Sequence, residues 1–428
     1  MARSESRPFT LAFPMAHRIK PASLVVIFVL TYLPLIRRAD FRGDDYLIAW
    51  NAMIPGVNPF TGTTLVYSGV TKAWFLRPLF RILTKVSFVE FGFHYAAWLA
   101  GPVVLVALAA WLGARVVNAL TESSEGGIWF MALFLGAFHL HLGSLLWVGE
   151  GLMNAPQIFL LSASLYCWVV LESDWGVGLA LALYGLSLGL KESSVFFPLF
   201  LWALPHSRRR IAWFFALGGM YLVLRLGLVP WNPSYSPLLT WSSLSNAGKL
   251  VLGMLLTPLL VWPHPRDYAR YIPFFTLTAA PCFGHDFFSP GWLLLPGFFL
   301  LLTAVVLARP ESLPRTTLLA TLISAVVAIS LLFQLHWWQW QSAEARIRDL
   351  VRSAPDSIEQ LVIEQCDPRP LPGPARVLGD EDSLSALWNL VHHRPIAVEF
   401  EPCSAVPRRP RGTLRLRWSF AELETKNF

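Results

Sequence analysis

Apolar residues along this chain come in long runs rather than in alternation. The runs fall at roughly 21–36, 95–114, 127–147, 155–171, 175–190, 193–205, 211–229, 249–262, 271–283, 291–308 and 317–337. A membrane-crossing helix needs about 20 predominantly apolar residues, so the pattern predicts an all-α polytopic membrane protein with about 11 transmembrane helices. The runs at 193–205 and 271–283 are short. They read as broken or partly re-entrant helices, which are tolerated where protein buries the irregular backbone. Two stretches depart from the pattern. Segment 74–89 (WFLRPLFRILTKVSFV) spaces its apolar residues along one helix face with Arg81 and Lys85 on another, which predicts an amphipathic helix lying in the membrane interface. Near the end, residues 342–362 suit a helix, and short β-like runs follow at 375–378, 395–400 and 413–418 (TLRLRW, alternating).

Composition sharpens the division. Of 428 residues, 55% are hydrophobic and 14% charged, where soluble proteins carry about a quarter charged. The charges are uneven: 25 of the 91 residues in 338–428 are Lys, Arg, Asp or Glu, against 36 of the 337 before them. The expected organisation is a cytoplasmic N-terminus (1–20), a transmembrane domain (21–337) with an outer loop at 37–94, and a small C-terminal α/β domain (338–428) outside the cytoplasm. The basic lead (Arg3, Arg7, Arg18, Lys20) precedes the first run. Ile36-Arg37-Arg38 after it is no small-x-small cleavage site, so the run reads as a span that stays. The net charge of +7 comes largely from short loops between spans, where basic residues set orientation. It does not argue for nucleic acid, and no nucleic-acid partner is expected.

With the N-terminus inside, the alternate loops on the cytoplasmic side hold Arg115; Arg208, Arg209 and Arg210; Arg266 and Arg270; Arg309 and Arg315. That agrees with the positive-inside rule. The loop 37–94, Glu150, the Lys191-Glu192 pair, the loops 230–248 and 284–290 and the tail then share the outer side. The first outer loop breaks the rule, with Arg37, Arg38, Arg42, Lys72, Arg77, Arg81 and Lys85. It is far longer than the roughly 15 residues beyond which loops are usually functional or disordered, and its aromatic content (Trp50, Phe60, Tyr67, Trp74, Phe75) is not that of a disordered segment. A cation-rich outer loop needs a functional reason.

Four polar constellations stand out on that side. Asp44-Asp45 crowds two carboxylates beyond the first span, so each raises the other's pKa and either could take a proton from a nucleophile; the plain alternative is a solvated turn capping the next helix. Arg77, with Lys72, Arg81 and Lys85 nearby, offers a fork for phosphate, whereas Arg81 and Lys85 fit snorkelling to lipid headgroups. Lys191-Glu192 sits between two apolar runs with almost no loop, and ionisable residues at membrane depth are functional candidates by default; an ion pair at a helix end is the alternative. Glu150 and Asn154 are a fourth candidate, or a polar turn between helices.

Other features are blander. His139 and His141 lie two apart on different helix faces, which disfavours a shared metal. His285 and Asp286 fall on the outer side, where His285 is a candidate substrate contact. No residue set demands a cofactor; a divalent metal stays open. The four Cys show no zinc spacing. Cys167 lies inside a span, and Cys366 and Cys403 are a candidate pair if the tail faces an oxidising compartment. There is no Walker A sequence and no dinucleotide-binding glycine motif, so a transferase here would draw its donor from the bilayer.

The order of these features resembles the GT-C class of polyprenyl-phosphate-sugar-dependent glycosyltransferases, which includes the protein O-mannosyltransferases and the aminoarabinose transferases of lipid A. The resemblance rests on Asp44-Asp45 after the first span, Trp74-Phe75-Leu76-Arg77-Pro78-Leu79, then Phe91-Gly92 and His94 opening the second span, and Lys191-Glu192 followed by Pro198. It covers roughly residues 20–205. It implies a bacterial inner-membrane enzyme that moves a sugar from a polyprenyl-phosphate donor to an acceptor hydroxyl on protein, lipid or polysaccharide, with inversion. Asp44 would be the base, although the family's acid sits at either place in such a pair. Arg77 and Lys191 would neutralise the departing lipid phosphate. Asp45 and Glu192 would orient these groups or contact the sugar, and segment 74–89 would shape a lipid-facing cavity. The tail lies outside the family core. Two other classes fit a multi-span chain: a transporter or flippase, which often shows inverted repeats not seen here, and a non-catalytic membrane scaffold.

Overall fold

The structure is a computed structural model. It describes residues 20–38, 45, 48–49, 52, 63–66, 69–72, 76–92, 94–145, 147–171, 173–204, 210–228, 265–278, 294–308, 348–365, 381–394, 396–402, 413–418 and 423–426. The described chain is mostly helical. Its elements are α1 (Pro21–Arg38), the hairpin strands β1 (Thr63–Val66) and β2 (Gly69–Lys72), α2 (Pro78–Phe91), α3 (Tyr95–Thr121), α4 (Ser124–Gly136), α5 (Phe138–Leu145), α6 (Val148–Val170) and α7 (Asp174–Leu188). A 3-10 turn (Glu192–Phe196) leads into α8 (Phe197–Ala203), followed by α9 (Ile211–Leu228), α10 (Pro265–Ala269), α11 (Ile272–Thr278) and α12 (Leu294–Ala308).

Three of these helices are long and apolar enough to cross a membrane: α3, α6 and α9. Shorter apolar helices accompany them at Pro21–Leu33, Asp174–Leu188, Glu192–Ala203 and Leu294–Ala308. The runs at 249–262 and 317–337 lie outside the described residues, and of 271–283 only α11 and its neighbours are seen. The run at 193–205 is short and broken, a 3-10 turn continued by α8. The run at 127–147, expected as one span, is two helices. The chain leaves helical geometry at Ala137 (φ −79°, ψ 57°). The Phe134 carbonyl there accepts from Ala137 N at 3.1 Å and meets His141 Nε2 at 2.6 Å, so side-chain chemistry satisfies a group that the break would orphan.

The core is built on α3, which packs against α1, α4, α6 and α12. Its inner positions are small or branched: Val103, Val106, Ala107, Ala110, Ala114 and Val117 are all buried. Small residues let backbones approach closely, which matters where lipid is as apolar as the helix interface. A Cβ on Gly127 of α4 would lie 2.7 Å from the Ala114 carbonyl oxygen, while the Gly127 N–H donates to Asn118 Oδ1 at 2.8 Å. Rings fill the other seam. Phe298 of α12 meets Phe130 and Phe134 of α4 edge-on, with centroids 5.2 and 4.9 Å away. The outer faces are apolar too: Trp213, Val223, Leu226 and Leu228 on α9 and Trp175 on α7 are all more than 60% exposed. In water such a surface would be a large liability; against lipid it is the ordinary arrangement.

Helix α2 begins four residues later than segment 74–89, with Pro78 in its first turn, where its missing N–H costs nothing. Thr84 is buried and Phe88 packs edge-on to Trp98, while Ile82, Val86 and Val89 form an exposed apolar stripe beside Lys85. Its start is tied to the end of α7 by Leu79 N–H donating to Gly189 O at 3.0 Å.

The tail carries a four-stranded sheet in the order β4-β3-β5-β6, built from β3 (Gln360–Gln365), β4 (Ala397–Pro402), β5 (Thr413–Trp418) and β6 (Leu423–Lys426). β3 is parallel to both β4 and β5, and β6 returns antiparallel to β5. A helix α13 (Glu381–His392) packs on β4, burying Leu384, Leu387 and Trp388. The helix expected over 342–362 is corrected: helical residues 348–353 are followed by Pro355, which has no N–H to extend a helix, and 360–362 belong to β3. The β-like runs at 395–400 and 413–418 match β4 and β5, and the run at 375–378 lies outside the described residues, as do Cys366 and Cys403.

Candidate functional site

Of the polar residues singled out in sequence, Asp45, Arg77, Glu150, Asn154, Lys191 and Glu192 lie at one end of the bundle. The beginnings of α2 and α6 and the ends of α7 and α9 all lie there, shown by the contacts that follow. At other helix termini, Arg210 pairs with Asp174 at 2.5 Å, joining the start of α9 to the start of α7.

Arg77 immediately precedes α2. Its Nε donates to Glu192 Oε2 at 2.9 Å and its NH2 lies 2.8 Å from the same oxygen. Its NH1 also reaches Met153 Sδ at 3.0 Å. Both partners of the Arg77–Glu192 pair are largely buried, with 14% and 24% of their side chains exposed. Lys191 is the next residue along. Its ammonium donates to Asn154 Oδ1 at 2.7 Å and stands 3.5 Å from Glu150 Oε2. Asn154 in turn donates to Ser144 Oγ and to Glu150 Oε2. Adjacent residues of α6 thus engage Lys191, through Asn154, and Arg77, the partner of Glu192, through Met153. Each of these buried groups has an oppositely charged partner and hydrogen bonds within reach, which offsets the cost of its burial.

Asp45 is 2% exposed, and its Oδ1 accepts the N–H of Gly149 at 2.9 Å. Gly149 is in the first turn of α6, whose unpaired N–H groups and dipole favour an anion. A Cβ on Gly149 would come within 2.4 Å of Ile48 Cδ1, so glycine permits the close seat of this segment. Asp44 and His285 lie outside the described residues.

Three groups that the sequence did not single out complete the site. Arg225, in the last turn of α9, places Nε 4.0 Å from Glu192 Oε1. Tyr221, one turn earlier, donates its hydroxyl to the carbonyl of Leu76 at 2.9 Å. Gln157, one turn beyond Met153 on α6 and 1% exposed, donates to Ser193 Oγ and Ser194 Oγ at 3.0 and 2.8 Å, holding the turn that follows Glu192. Nothing local in the sequence marks them. Each is a polar residue set among apolar neighbours, and its partner is remote in the chain.

Cations crowd this end. Arg81, one turn into α2, has its pKa lowered first by burial and then by the charge of Arg77. Among the described residues no three His, Cys, Asp or Glu side chains gather as metal ligands. His141 is buried against Phe28 and Phe134.

Compared with known proteins, the chain matches no family model and none of the curated proteins.

Proposed function

We propose that the chain is a multi-pass membrane glycosyltransferase of about 11 spans that takes a sugar from a polyprenyl-phosphate donor. The observation that carries this reading is the buried ionic cluster in which Arg77 meets Glu192 and Lys191 meets Glu150 and Asn154. These residues come from three separate stretches of chain, and two of them, Arg77 and Lys191, are the ones the GT-C resemblance marks for the donor phosphate. In this reading Asp44 takes the proton of the acceptor hydroxyl. The oxygen attacks the anomeric carbon as the bond to the lipid phosphate breaks, inverting that centre. Negative charge grows on the departing phosphate, and preorganised cations in a dry site stabilise it without reorganisation. Asp45, engaged with the α6 N-terminus, holds the segment that carries Asp44. The site faces the extracytoplasmic side of a bacterial inner membrane, with the N-terminus in the cytoplasm and the tail outside.

Native mass spectrometry of the purified chain tests the reading. A co-purified polyprenyl phosphate or polyprenyl-phosphate sugar, lost in Arg77→Ala, is the expected result. Only bulk phospholipid, equal in both proteins, counts against it. A second reading as a transporter draws on the broken 3-10 turn beside buried charges; it requires movement of unaltered substrate across sealed vesicles.

A further inference from the structure

Helix α9 is apolar over its whole length except at Arg225. Its buried positions are Ile211, Phe214, Gly218, Tyr221 and Arg225, a single stripe with steps of three and four, while its other faces are exposed. An arginine near the end of such a helix has an easy course, which is to extend outward to headgroups. Arg225 instead lies on the inward stripe, against the site. Ionisable residues that face the interior of a membrane bundle mark substrate paths.

What it meets is specific. Glu192 uses Oε2 for Arg77, accepting at 2.9 Å from Nε with NH2 at 2.8 Å. Its Oε1 is buried, has no hydrogen-bond partner among the described residues, and lies 4.0 Å from Arg225 Nε. The carboxylate therefore bonds one guanidinium tightly and the other loosely, one on each oxygen. Tyr221 fixes this spacing, because its hydroxyl holds the Leu76 carbonyl, next to Arg77, against the same helix stripe. Two guanidinium groups converge on this one carboxylate, and a tetrahedral oxyanion that takes its place can accept from both at once.

We propose that Arg225 is a second guanidinium of the anion site, acting with Arg77 across Glu192, and that its ligand is a phosphate ester. The inference rests on the transferase reading for the phosphate's source and goes beyond it in naming a residue outside the region of resemblance. Glu192 keeps the two guanidinium groups together before the phosphate enters.

The test measures binding of farnesyl phosphate, inorganic phosphate and farnesol to the full chain in detergent, for the wild type, Arg77→Ala, Arg225→Ala and Arg225→Lys, with thermal unfolding recorded for each. Arg225→Ala should weaken farnesyl phosphate about 10- to 100-fold, as expected for a charged hydrogen bond lost. Arg225→Lys should fall between, since it keeps the charge and loses the fork. Farnesol binding should not change. Inorganic phosphate that displaces farnesyl phosphate at equal concentration supports a site for free phosphate; displacement only at great excess supports a lipid phosphate. If Arg225→Ala does not fold, Arg225→Lys and Arg225→Gln carry the comparison. Wild-type affinity in a folded Arg225 variant, or an equal loss for farnesol, overturns the proposal. If Arg77→Ala loses binding while Arg225→Ala keeps it, this inference fails and the transferase reading stands. If both bind as wild type, both fail.

Discussion

The ring seam between α4 and α12 is fully buried and the ionic cluster around Glu192 largely so, and they are held by opposite means. In the seam, Phe298 is fully buried and lies edge-on to Phe130 and Phe134. It gains little from leaving lipid, which is as apolar as its neighbours, so fit and dispersion must hold it. In the cluster, five ionisable side chains (Arg77, Glu150, Lys191, Glu192, Arg225) have given up much of their hydration, and their mutual pairing roughly offsets that cost. Stability alone would favour the first solution everywhere. A region that keeps the second invites a functional explanation.

The comparison is most exposed to a replacement of the whole triad. Arg77→Met, Glu192→Leu and Arg225→Met together should abolish farnesyl phosphate binding, at least about 100-fold, while the unfolding temperature stays level or rises, as it does when buried ion clusters become apolar. A large loss of stability with binding intact would make the cluster a structural lock instead. Next in size, Phe298→Ala should cost about 3 kcal/mol in equilibrium unfolding and leave anion binding unchanged; a parallel loss of binding would erase the distinction between the two regions. The smallest effect is expected at Asn154→Ala. Hydrogen bonds inside membranes average about 0.6 kcal/mol, so unfolding should shift by about that amount. Binding should still fall several-fold, because Lys191 loses the 2.7 Å contact that aims it.

Sequence periodicity revealed the described apolar helices because length and apolarity are local properties of a span. The run at 95–114 extends to Thr121 in α3, and 155–171 belongs to an α6 that starts at Val148. The early start of α6 was hidden by Glu150 and Asn154, polar residues that look like a turn until Lys191 and Ser144 are beside them. The break at Ala137 was hidden as well, since no proline marks it and the compensating contact is made by His141. In the tail, residues 360–362 were absorbed into a helix because the partners that make them a strand, β4 and β5, lie more than 30 residues ahead. At the site, Lys191 and Glu192 announced themselves by standing in apolar surroundings. Arg225 did not, because an arginine closing a span reads the same whether it faces lipid headgroups or protein.

The Arg77–Glu192 pair joins residues 115 positions apart. A ribosome adds about 5 to 20 residues each second, so Arg77 emerges roughly 6 to 23 seconds before its carboxylate exists. Through that interval its charge has to be met elsewhere, by water or by lipid headgroups. Only when the turn at Glu192 is threaded can Arg77 be drawn inward. Insertion order, and not only the finished packing, therefore argues for keeping the segment around Arg77 out of the bilayer core.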